Sequence, residues 1–111
     1  MLRIGSIAWN VSDTGRASAF WSGALGYTAR PDRSEVLSPP DGAGPQLWLD
    51  ADDRTHLDLH TDSADEQRVE VERLLALGAT RVEWEYPPGA DFVVLADPDG
   101  NLFCVVDTSA E

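Results

Sequence analysis

DFVVLADPDGNLFCVVD, residues Asp91 to Asp107, holds two apolar runs, Phe92 to Ala96 and Leu102 to Val106, on either side of Asp97-Pro98-Asp99-Gly100. Proline presets one turn dihedral and glycine tolerates positive φ, so the stretch is expected to form a β-hairpin. A single cysteine, Cys104, lies in the second run.

Upstream, Thr55 to Thr61 alternates, with Leu57 and Leu59 on one face and His56, Asp58 and His60 on the other. Ser63 and Glu66 form a Ser-x-x-Glu capping box. Val71, Leu74 and Leu75 make the apolar stripe of a helix that Gly78 ends. Val82 to Tyr86, Phe92 to Ala96 and Leu102 to Asp107 are then expected strands. The first half has the same order. Ile4 to Asn10 reads as a strand, and Ser12 or Asp13 caps a helix carrying Ala17, Phe20, Trp21, Ala24 and Leu25 on one face. Gly26 stops it, and Tyr27 to Arg30, Glu35 to Ser38 and Gln46 to Asp50 read as strands. Trp9 and Trp21 are assigned to the core.

The chain has 111 residues, the size of one domain with a core of its own. One cysteine excludes an intramolecular disulfide, and Met1-Leu2-Arg3 leads straight into strand-like sequence, so a cytoplasmic protein is expected. The net charge of −12 disfavours nucleic acid and anionic membrane as partners. Its eight basic residues are all arginine and are scattered, which marks no basic site.

His56-Leu57-Asp58-Leu59, Leu75-Ala76-Leu77-Gly78-Ala79 and Asp97-Pro98-Asp99-Gly100-Asn101 together resemble the glyoxalase/bleomycin-resistance (vicinal oxygen chelate) superfamily, in particular a small glyoxalase-like subgroup common in actinobacteria. The resemblance spans nearly the whole chain. It implies an α+β fold of two tandem βαβββ modules, about residues 1–52 and 53–111 of a single domain, forming a curved mixed sheet, or cup, with helices on the convex side. It also implies a homodimer. A dinucleotide-binding fold needs a glycine-rich turn between strand and helix, and Asn10 to Arg16 has none.

Metal-dependent members of this superfamily take ligands from the first, fifth and eighth strands, often with one from the fourth. Carried onto this chain, the first-strand histidine falls at Ser6, the fifth-strand histidine at His56 and the eighth-strand glutamate at Cys104. The fourth-strand candidate is Gln46 or Asp50. A serine hydroxyl is a poor ligand for the ions such sites hold, so the family's site is read as degenerate and no cofactor is expected. His60 lies about 13 Å along the strand from His56, too far to share an ion. His56 and Asp58, with Asp50 or Cys104, are the remaining metal candidates, and zinc is the ion that suits a thiolate.

His56 is also the candidate catalytic residue, as a general base or as a partner that activates the Cys104 thiol. Trp48 shares strand parity with Gln46 and Asp50, and Trp84 shares it with Val82 and Tyr86. The expected ligand site is therefore Ser6, Trp48, His56, Asp58, Trp84 and Cys104, favouring a planar or cationic small molecule. Two function classes compete: sequestration of a small ligand, as in antibiotic-resistance members, or a lyase, isomerase or dioxygenase-type enzyme using His56.

Overall fold

The computed structural model describes residues 2–110; Met1 and Glu111 lie outside it. Its elements run β1 (Arg3–Asn10), α1 (Thr14–Leu25), β2 (Thr28–Arg30), β3 (Arg33–Ser38), β4 (Gln46–Asp50), β5 (His56–Thr61), α2 (Ala64–Ala76), β6 (Thr80–Arg81), β7 (Phe92–Ala96) and β8 (Leu102–Asp107), followed by a 3-10 turn at Thr108–Ala110. The expected mixed α+β class and the repeated strand-helix-strand-strand-strand order are both present. Contacts group the chain into two units, Ile4–His56 and Met1–Arg3 with Leu57–Glu111. The first has strand order β2-β3-β4-β1, and the second, beginning with β5, has β5-β8-β7-β6. In each, the outer strand opposite the terminal hairpin is joined in parallel, β1 to β4 and β5 to β8, while the other pairings are antiparallel.

In the first module, Asp13 is the helix cap, and its side chain accepts from the Arg16 amide at 2.9 Å. Gly26 ends α1 at φ 70°, in the left-handed region where a Cβ is disfavoured. Leu37, Leu47 and Leu49 form the buried core, with Ile7, Ala17, Trp21 and Tyr27 packed against it. The expected helix face is only partly covered, because Phe20 is 63% and Leu25 47% exposed. Trp9 corrects its core assignment: it is 38% exposed near the end of β1, where it meets Trp21 edge-on at 6.1 Å.

In the second module, the Ser63 side chain accepts from the Glu66 amide at 3.0 Å. Glu66 reaches one residue further back than a standard capping box and accepts from the Asp62 amide at 2.7 Å. At the other end, Ala79 donates to the Leu74 carbonyl and Gly78 to Leu75, the Schellman pattern, with Gly78 at φ 119°. Val71, Leu95 and Val105 form the core, with Leu74, Leu75, Val93 and Phe103 packed around them. Gln67 ties α2 to the sheet by donating to the Asp91 and Val105 carbonyls, 3.0 Å each. The hairpin closes as expected: Asp97 donates to the Asn101 carbonyl and Gly100 to that of Asp97, both at 2.9 Å.

One expectation fails here. The strand at Val82 to Tyr86 is absent, and β6 covers Thr80–Arg81 alone. The ladder stops at the Arg81–Leu95 rung, and Tyr86 supplies its hydroxyl to the Val94 amide at 2.8 Å, so that β7 donor is used by a side chain. Pro87 and Pro88 follow immediately and bring no backbone donor to extend a ladder. Leu57 is 40% exposed, although its parity matches Leu59. No helix among the described residues is long and apolar enough to cross a membrane.

Candidate functional site

The best-defined group of chemically active side chains lies on the β5–β8 strand pair. Phe103 and Val105 pack into the core beside Val71 of α2, so strand alternation turns Cys104 to the opposite face. The parallel register sets Asp58 beside Cys104. Partners in such a register share a face and sit on strands about 4.8 Å apart. His56 stands two residues before Asp58, on the same face of β5. Ligand-capable atoms of His56, Asp58 and Cys104 all lie within 4.8 Å of one another, and all three residues are partly buried.

The histidine is held in one orientation. Its Nδ1 lies 2.9 Å from the Arg54 carbonyl oxygen. A carbonyl only accepts, so this contact assigns the proton to Nδ1 and leaves the lone pair of the neutral ring on Nε2. The Asp53 carboxylate lies 3.9 Å from Nδ1, and the His56 side chain is only 14% exposed. Neither Asp53 nor the Arg54 carbonyl is among the residues that the sequence singles out. A backbone acceptor leaves no mark on residue type.

The other expected site residues take different places. Ser6 is 3% exposed on β1, paired in register with Gln46. Leu47 and Leu49 point into the first module's core, so Gln46, Trp48 and Asp50 lie on the face of β4 turned away from α1. The Arg33 guanidinium covers the Trp48 ring, 5.3 Å from its centroid, and the indole nitrogen donates to Gln46 Oε1 at 3.4 Å. A residue of this chain thus already supplies the cation expected of a ligand there. Asp50 accepts from the Asp52 and Asp53 amides at 2.7 and 3.0 Å and serves the turn after β4. Trp84, 46% exposed, follows β6 outside any strand, so strand parity does not govern its direction. A depression of about 260 Å³ at the start of α1 is lined by Val11, Ser12, Asp13, Arg16, Ala17 and Phe20, none of them expected site residues.

The donor set decides which ion the site suits. Ser6 and Cys104 stand where the resemblance implies histidine and glutamate, which does not fit the family's ligand pattern for hard divalent ions. Imidazole, carboxylate and thiol together are a set that zinc accepts.

No curated protein matches the chain. Among solved structures, a glyoxalase/bleomycin resistance protein/dioxygenase superfamily member from Vibrio splendidus is 18% identical, with TM-score 0.56 over 96% of this chain and 98% of that one. Methylmalonyl-CoA epimerase from Mycobacterium tuberculosis is also 18% identical, with TM-score 0.56 over 94% and 86%. A protein described as NAD-dependent benzaldehyde dehydrogenase from Legionella pneumophila is 11% identical, with TM-score 0.62 over 91% and 96%. At these identities the likeness is one of fold, and the named activities belong to those proteins. The model of the glyoxalase-like domain matches residues 6–106, from β1 through β8, and the chain therefore belongs to that family.

Proposed function

We propose that this protein binds a small organic molecule at the His56, Asp58 and Cys104 face of β5 and β8, and acts by holding that ligand. The convergence of three polar, partly buried side chains within 4.8 Å carries the reading. Partly buried polar groups on a sheet face can orient a ligand while the sheet shields it from water. The acidic balance, −12 overall, favours a neutral or cationic ligand over a phosphate polymer. The exposed Trp84 indole of the same module offers a stacking surface for a planar one. The proposal includes a cytoplasmic homodimer, supported by the uncovered apolar side chains Trp9, Phe20 and Leu25 of the first module. Light scattering is expected to give twice the 12.1 kDa chain mass.

One observation favours a second reading, an enzyme of the lyase, isomerase or dioxygenase type. The Arg54 carbonyl fixes Nδ1 as the donor, so the lone pair that a general base uses lies on Nε2 of His56. A thermal-shift screen of small molecules followed by analysis of the recovered ligand separates the two. Binding predicts a ligand returned unchanged, with affinity reduced at least about tenfold in His56→Ala or Asp58→Asn. Turnover that disappears in His56→Ala establishes the enzyme, and equal affinity in the wild type and both variants overturns this site.

A further inference from the structure

We propose that the depression at the start of α1 is a binding site for a free α-amino acid with an aromatic side chain. The ligand ammonium meets Asp13, its carboxylate meets Arg16, and its ring lies against Phe20. The site goes beyond the ligand-binding reading of β5 and β8 and uses none of His56, Asp58 or Cys104.

The first observation is shape. The depression holds about 260 Å³ and is lined by Val11, Ser12, Asp13, Arg16, Ala17 and Phe20. Sites for drug-sized ligands hold roughly 300–1,000 Å³, so this one suits a smaller molecule, the size of a single amino acid. Asp13 is the cap of α1, and Arg16, Ala17 and Phe20 follow it at i+3, i+4 and i+7. One stripe of the helix therefore carries both charges and the aromatic group.

The second is charge. Asp13 and Arg16 line the same depression without forming an ion pair with each other. One oxygen of Asp13 accepts from the Arg16 backbone amide at 2.9 Å, which is the helix cap. The Arg16 guanidinium turns instead to Ser12 and donates to its hydroxyl at 2.9 Å. Arg30 and Arg81 meet Asp32 and Glu72 at 3.1 and 3.2 Å, whereas among the described residues no carboxylate pairs with Arg16. The Ser12 contact engages one nitrogen and leaves the rest of the fork for a carboxylate, which arginine holds through parallel hydrogen bonds. A separated anion and cation are complementary to a zwitterion. The net charge of −12 repels a simple anion, but a zwitterion carries no net charge into that field.

The third is the aromatic wall. Phe20 is 63% exposed, and its ring stands edge-on to Trp21 with the centroids 5.0 Å apart. Trp21 packs against the module core, so the exposed ring is braced from behind. A braced ring offers a ligand ring an aromatic contact at little loss of side-chain freedom.

L-Phenylalanine is the probe, titrated into the wild-type protein in its native oligomeric state and followed by amide NMR. Saturable shifts centred on Val11 to Phe20 are expected, with a dissociation constant of about 1 mM or tighter. 3-Phenylpropanoate, which lacks the ammonium, and phenethylamine, which lacks the carboxylate, are each expected to bind at least about fivefold more weakly. Asp13→Asn keeps a good helix cap while removing the charge, so it separates binding from folding. That variant, Arg16→Gln and Phe20→Ala are each expected to weaken L-phenylalanine binding at least about fivefold. Phe20 is also among the apolar side chains offered to a second copy, and a pocket covered by that copy gives no shifts. The absence of saturable shifts up to about 10 mM overturns the site. Equal binding of either truncated analogue overturns it as well. Shifts centred on β5 that His56→Ala abolishes also overturn it and assign the amino acid to the β5 and β8 face.

Discussion

Tyr86→Phe removes one oxygen and tests why the expected strand at Val82 to Tyr86 does not form. The Tyr86 hydroxyl accepts from the Val94 amide at 2.8 Å, one rung beyond the last pair of β6 and β7. Phenylalanine keeps the ring, whose centroid lies 5.4 Å from that of Phe92, so the substitution isolates the hydrogen bond. A neutral bond of this kind contributes about 1 kcal/mol, and Tyr86 is 42% exposed, so water recovers part of the loss. A cost of roughly 0.5–1 kcal/mol corresponds to two- to fivefold faster amide exchange at Val94 if local opening governs exchange there. Amide exchange by NMR measures it, with Val105 as an internal reference in the same module. If residues 82–86 instead formed a strand on β7, the Val94 amide would be protected by the ladder and the substitution would be silent. An unchanged Val94 rate in Tyr86→Phe refutes the reasoning.

Leu95 is fully buried between Val71 and Val105, and Leu95→Ala is expected to cost about 2–5 kcal/mol and to lower Tm by roughly 10 °C or more. Leu57→Ala, at a position 40% exposed, is expected to cost less than about 1 kcal/mol in the same denaturation assay, and equal losses would contradict the burial assigned to the two leucines. Asp97 is held below the ordinary aspartate range first by the Asn101 side-chain amide and then by backbone amides, including those of Asn101 and Asp99. Its folded pKa is depressed, so its contribution is fully present above the unfolded value of about 3.9 and is lost as pH falls through the folded value. A carboxyl titration by NMR with a midpoint at or above the unfolded value would refute that bonding.

The second module was the more legible half because its signals are local. The run Asp97 to Gly100 specifies its own turn, Ser63 and Glu66 lie one helical turn apart, and Gly78 takes a φ that disfavours other residues. Each choice is decided within a few positions. The errors arose where a distant neighbour decides. Val82 to Tyr86 carries the residue types of a strand, yet a strand needs a partner, and the Tyr86 hydroxyl engages the Val94 amide instead. Phe20 and Leu25 have the helical spacing of a core face, but the core beneath α1 draws on short strands contributing Leu37, Leu47 and Leu49. Periodicity gives a direction for a side chain; it gives no depth of cover.

The site divides in the same way. Parity along β5 was enough to place His56 and Asp58 on one face, whereas Cys104 was expected beside them only through the family resemblance, because no residue type encodes the register of β5 on β8. Asp50, one of the alternative metal candidates, accepts from the Asp52 and Asp53 amides and shapes the turn that leads to Arg54. Asn10 reinforces that path by donating its side-chain amide to the Asp50 and Asp53 carbonyls, while its backbone amide donates to the Thr55 hydroxyl. The turn presents the Arg54 carbonyl to His56 and the Asp53 carboxylate beside it. Asp50 thus acts on the histidine through the backbone. Replacing the Arg54 side chain leaves the proton on Nδ1, because the acceptor is a main-chain oxygen, whereas loosening the Asp50 turn frees the ring to rotate and removes the fixed lone pair on which the general-base reading depends.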